Sequence, residues 1–76
     1  MVRRERLIKK VEELGLRLAD FGVRNDFFQG TVGGILRCAS VPRHDLLDDE
    51  FVRLQLHHSG CGRDEIESFI ANNQAG

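Results

Sequence analysis

Four side chains of this chain could together hold a metal ion: Cys38, His44, His58 and Cys61. Two thiols and two imidazoles make a good tetrahedral zinc set. His58 and Cys61 form a tight pair with two residues between them, but Cys38 and His44 are spaced too loosely for a zinc finger. The competing reading makes the histidines helix-edge residues at the rim of the core and the cysteines two buried thiols. Cys38, Cys61, Ser59, His57 and His58 are also raw material for nucleophilic catalysis. No strained elbow or glycine-lined oxyanion site accompanies them, and adjacent residues of a helix point to different faces. The acidic run Asp45, Asp48, Asp49 and Glu50 lacks the alternating ligands and central glycine of a calcium loop, and reads as a solvated helix face. The expectation is a protein that is not an enzyme, with no cofactor and no metal, and with Cys38, His44, His58 and Cys61 as the alternative metal set.

The elements that would position these groups belong to one domain of 76 residues. A chain of this size buries only about 60% of its unfolded surface, so its margin of stability is thin. Hydrophobic residues make up 41% of the sequence, too many for a disordered chain. No apolar run approaches the ~18 residues of a membrane span, and the first ten residues lack a signal-peptide core. Those features predict a cytoplasmic protein with no membrane partner. The net charge of −1 conceals a polarity: residues 1–38 carry 8 basic and 5 acidic side chains, whereas residues 39–76 carry 3 basic and 7 acidic.

Leu7, Val11, Leu14, Leu18 and Phe21 recur at spacings of four and three, which predicts an amphipathic helix over 3–21. Gly15 marks a close contact or a break within it. Residues 27–41 admit two readings. Asp26 and Gln29 fit a capping box, and Phe28, Val32, Ile35, Leu36 and Ala39 share one helical face. Alternatively, Gly33 and Gly34 sit at a hairpin turn that leads into a strand. The agreement between box and face favours the helix. A third helix is expected over 44–57 and a fourth over 63–73, with Ile66, Phe69 and Ile70 inward. The predicted fold is all-α, a compact bundle of four short helices, with α+β and a hairpin at 27–41 as the alternative.

Gly60 permits a left-handed turn, Cys61 could tuck beneath it, and Ile66 and Phe69 could anchor the following helix. Residues 52–70 so resemble the helix-turn-helix corner of lac-repressor-type and Cro-type DNA-binding domains. Leu56 stands where that pattern prefers alanine, and Gln55 where it prefers an apolar residue. The resemblance implies a reading role for Gly62, Arg63, Asp64, Glu67 and Ser68. Two of those five are carboxylates, which phosphate repels.

That sign of charge favours a protein partner over DNA. The expected function is a small binding module that regulates or inhibits another protein, one with a basic surface. Asp45, Asp48, Asp49, Asp64, Glu65 and Glu67 would supply the charge of the contact, and Val52 and Leu56 its apolar centre. A DNA-binding regulator of the helix-turn-helix kind is the alternative, and a homodimer through the first helix is a further expectation.

Overall fold

The computed structural model describes residues 1–76 and holds three helices and five short strands in two antiparallel sheets. It is an α+β fold, which corrects the expected all-α bundle. Strand β1 (Val2–Arg3) leads directly into helix α1 (Arg4–Leu14). The helix stops at Gly15, whose φ is +110°. Gly15 donates to the Glu12 carbonyl and Leu16 to that of Val11, so two orphan carbonyls are satisfied as the chain turns. Leu16 and Val11 are both fully buried, which seals the cap with an apolar contact. The helical spacing that runs on to Phe21 is therefore coincidental beyond Leu14. Leu18 and Phe21 belong to strand β2 (Arg17–Phe21).

Strands β3 (Asn25–Val32) and β4 (Ile35–Pro42) follow, and the sheet order is β2-β3-β4. Residues 27–41 form the hairpin, not the helix that the capping box favoured. Gly33 and Gly34 have φ of +61° and +80°, the two positive values that a two-residue turn matching strand twist requires. Asp26 is engaged by Arg4 and Arg43 and caps nothing. Gly30 shows why a helix there loses. A Cβ on it would overlap the Gly15 carbonyl oxygen and lie 3.0 Å from Leu16 Cα. Strand β3 thus crosses the end of α1 at backbone distance.

The predicted third helix begins five residues late. His44 and Asp45 are in a connection, and β5 (Leu46–Leu47) pairs with β1. Helix α2 (Asp49–His58) then starts behind Asp48, whose carboxylate accepts from the Glu50 amide. Helix α3 (Arg63–Asn72) closes the order, close to the predicted limits. The chain ends meet, since Val2 bridges Gln74 and Ala75 donates to the Met1 carbonyl. No helix is long and apolar enough to cross a membrane.

Thirteen buried apolar residues form one core between the sheet and the helices. Phe28, Ala39 and Val41 face it from the sheet; Leu7, Val11, Val52, Leu56, Ile66 and Ile70 face it from the helices. The molecule is only 16 Å thick along its shortest axis, as a single helix layer on a single sheet requires. By register, Arg17, Asp20, Phe27, Gln29, Thr31, Leu36 and Cys38 share the opposite, uncovered face of the sheet.

Candidate binding site

Helices α2 and α3 meet at a corner made by four residues. The Ser59 hydroxyl and amide both donate to the Gln55 carbonyl, at 2.8 and 3.0 Å. Gly60 takes φ of +87° and donates to His57, and Cys61 donates to Leu56 while burying its side chain. Gly62 caps α3 in extended conformation. Between the helices lies an open groove of about 850 Å³, lined by Glu50, Arg53, Leu54, His57, Arg63, Ile66 and Glu67. Leu54 is 49% exposed, so the groove carries an uncovered apolar side chain. Arg53 links the two helices, donating to Glu67 through Nε at 2.7 Å and Nη2 at 3.0 Å, and also pairs with Glu50. The Arg53 hydrogen bonds lower the Glu67 pKa below the usual glutamate value, and Glu67 in turn raises that of Arg53. Two carboxylates share this one guanidinium, and Arg63, which also lines the groove, adds its charge beside Glu67, so acids and bases balance in number there.

The residues expected to form an acidic contact are dispersed. Val52 and Leu56 are fully buried and belong to the core, so they supply no apolar centre for a surface. Asp49 is held by the Met1 ammonium at 2.9 Å and by Gln74. Glu65 pairs with Lys10 at 2.6 Å and Glu67 with Arg53. Asp48 caps α2, while Asp45 and Asp64 are exposed. The helix-turn-helix set stays together at the start of α3, with Gly62 as its cap and Arg63, Asp64, Glu67 and Ser68 exposed. Glu67 already has its arginine.

The four metal candidates do not converge. Cys38 is exposed on the uncovered face of the sheet, Cys61 is in the core, and His44 and His58 are exposed. No group of three or more His, Cys, Asp or Glu side chains is placed to hold a metal. Burial pushes the Cys61 thiol up to about 11, with the Glu65 carboxylate adding to it, so this sulfur is protonated at neutral pH. The His57 and His58 rings stand 6.3 Å apart and tilted by 50°. The stripe expected to dimerise through the first helix is consumed by the core, since Leu7 and Val11 have no exposed surface.

Two features escaped the sequence reading although each left a trace. Gln55, polar at an apolar position of the corner, is buried and accepts the Ser40 amide at 2.8 Å. Arg37, the one charge between Phe27 and Val41, faces the Gly60 turn from β4, where a Cβ on Gly60 would lie 3.3 Å from its Nε. That Nε is buried and has no hydrogen-bond partner. No protein-family model, curated protein or solved structure matches this chain.

Proposed function

We propose that this chain is a small non-enzymatic binding module that regulates or inhibits a partner protein, and that the α2–α3 groove is its contact. The open groove with Leu54 half-exposed inside it carries the reading, because an uncovered apolar side chain in a concavity is where binding energy concentrates. The alternating acids and bases of its rim, Glu50 and Glu67 with Arg53 and Arg63, suit a partner that brings a basic side chain to the carboxylates beside an apolar one. Of the acidic residues expected on the last two helices the contact keeps Glu67, and its apolar centre moves from Val52 and Leu56 to Leu54.

A second reading rests on the corner itself. Its left-handed Gly60, buried Cys61 and exposed Arg63 also suit a helix-turn-helix DNA reader. One set of measurements separates the two. Immobilised protein should capture a single partner from its host's lysate. Leu54→Asp and a Glu50→Lys, Glu67→Lys double variant, each with near-parental melting, should lose that partner. Capture that survives both changes, together with a salt-sensitive duplex shift abolished by Arg63→Ala, would transfer the proposal to DNA.

A further inference from the structure

The two free edges of the three-stranded sheet are finished differently. A bare edge presents unpaired N–H and C=O groups and invites another strand. On β2 the register shifts between Leu18 and Asp20, and the Asp20 carboxylate accepts the Phe21 amide at 2.8 Å. A bulge and a capping charge blunt that edge. On β4 the protection covers only half the strand. In an antiparallel ladder, alternate residues turn their backbone groups outward. The Ser40 amide, bonded to Gln55, shows which set of β4 does so. The same parity turns Leu36, Cys38 and Pro42 outward. Pro42 has no N–H to offer and Ser40 is capped. Leu36 and Cys38 retain two N–H and two C=O groups with no partner among the helix, strand or loop hydrogen bonds on that side.

The open half has a chemistry of its own. Arg37 lies between those two residues and points to the helix side of the sheet, like its cross-strand neighbour Gly30. It takes part in no ion pair. Its Nε is sealed without a partner, while its terminal nitrogens, neither bonded nor sealed, are open to solvent. Ile35 and Leu36 precede it, 55% and 64% exposed. We infer that the Leu36–Cys38 edge of β4 accepts an extended acidic segment of another protein as an added strand, with a carboxylate of that segment on Arg37. Backbone bonds to Leu36 and Cys38 would supply the attachment, and the Arg37 guanidinium the selection for an acid. A second copy of this chain is a poor occupant. Antiparallel self-pairing centred between the outward residues sets Arg37 opposite Arg37, and like charges directly opposite are destabilising. On α2 Gln55 meets this strand while Glu50, Arg53, Leu54 and His57 line the groove, and no β4 residue lines it, so this inference goes beyond the proposed function and does not depend on it.

The test uses synthetic peptides of about seven residues, a usual strand length, built from alternating Val and Thr with Glu, Gln or Lys at the centre. Binding to the whole chain is followed through the Leu36 and Cys38 backbone amide resonances. The Glu peptide should shift both amides and bind about tenfold more tightly than the Gln peptide, the worth of one charge-assisted hydrogen bond. The Lys peptide should be weaker than either. N-methylation along one edge of the Glu peptide should abolish binding, and Arg37→Met should reduce the Glu peptide to the Gln level. Leu54→Asp, which tests the groove, should change none of these values. Equal affinity for the three peptides, no binding below about 1 mM, or shifts confined to groove residues would overturn the inference. So would a dimer of the peptide-free protein in sedimentation that perturbs the same two amides. The peptide charge series is measured on the parental protein, so the test stands even if Arg37→Met fails to fold.

Discussion

Three arginines in and beside this small sheet meet opposite fates. At one end Arg4 and Arg43 converge on Asp26, and Arg4 Nε also donates to the Pro42 carbonyl at 2.8 Å. That cluster ties α1 to β3 and to the end of β4, and the Arg43 amide adds a bond to the Arg24 carbonyl. Toward the hairpin end Arg37 has no carboxylate and one sealed nitrogen. The saturated arginines act as staples, because a guanidinium with several partners fixes every group it touches. The unsaturated one adds nothing of the kind to the fold and remains available to a ligand. The contrast teaches that charge count along a strand says little; what matters is whether the fold supplies the counter-charge.

The largest expected effect breaks the platform that holds both ends. Gly30 lies midway along β3 against the Gly15 backbone, where no side chain fits. Gly30→Ala should cost about 3 kcal/mol, the upper range of overpacking, since the obstruction is backbone. For a domain of this size that is a fall in Tm of more than about 10 °C. Thermal unfolding followed by circular dichroism measures it, and a loss under about 1 kcal/mol would show that the two layers can separate freely there.

Next comes the boundary between the protected and open halves of β4. Gln55→Ala removes the acceptor of the part-buried Ser40 amide and should cost about 1 kcal/mol, the net worth of a typical hydrogen bond. The same change lengthens the bare edge, so the central-Glu peptide should bind more tightly to it. Denaturant unfolding and the peptide titration check the two halves of this expectation.

A third effect is read as a pH dependence. The Arg43 hydrogen bonds, with Arg4 beside them, hold the Asp26 pKa below the usual aspartate value. A carboxylate with a depressed folded pKa stabilises the fold above its unfolded value of about 3.9, and loses that contribution as pH falls through the folded value. Asp26→Asn should therefore melt below the parent at pH 7. The gap should narrow as pH drops below about 4. A gap that is constant from neutral to acid pH would mean that the cluster acts through shape alone.

The smallest effect sharpens the contrast. Arg37→Met should change stability by no more than ~0.5 kcal/mol, because it removes a donor that was never paired in the fold. A loss near that of Gln55→Ala would show that Arg37 is a staple after all, with its counter-charge in the folded chain.

How much of this was legible follows from the range of the interactions. Helix α3 could be read closely, since its turn glycine, its acidic first turn and its Ile66–Ile70 face all lie within ten residues. The hairpin was present only as the lesser of two readings. Phe28, Val32, Ile35, Leu36 and Ala39 satisfy a helical face, while Gly33 and Gly34 satisfy a turn, and nothing local ranks the two. Strand β2 was missed because Leu14, Leu18 and Phe21 keep a helical spacing across Gly15. Leu16, off that stripe yet fully buried, was the discordant residue. The groove was half legible: Arg63 and Glu67 were singled out, whereas Val52 and Leu56, which belong to the core, were assigned to the surface in place of Leu54. Helical phase alone does not say which neighbour a face will meet.

The sequence by itself determined the turn at Gly60 and the amphipathic face of α3, and it offered breaks at Gly15 and Gly33–Gly34 without choosing them. These depend on φ preferences and on contacts between near neighbours, which composition and spacing record directly. Only the tertiary structure decided that Gly30 crosses Gly15, that Asp26 meets Arg4 and Arg43, and that Gln55 caps Ser40 while Arg37 is left without an acid. Those pairings join residues 15 to 22 positions apart, or leave one unjoined. A strand carries no local record of its partner, because its hydrogen bonds are all made to other segments.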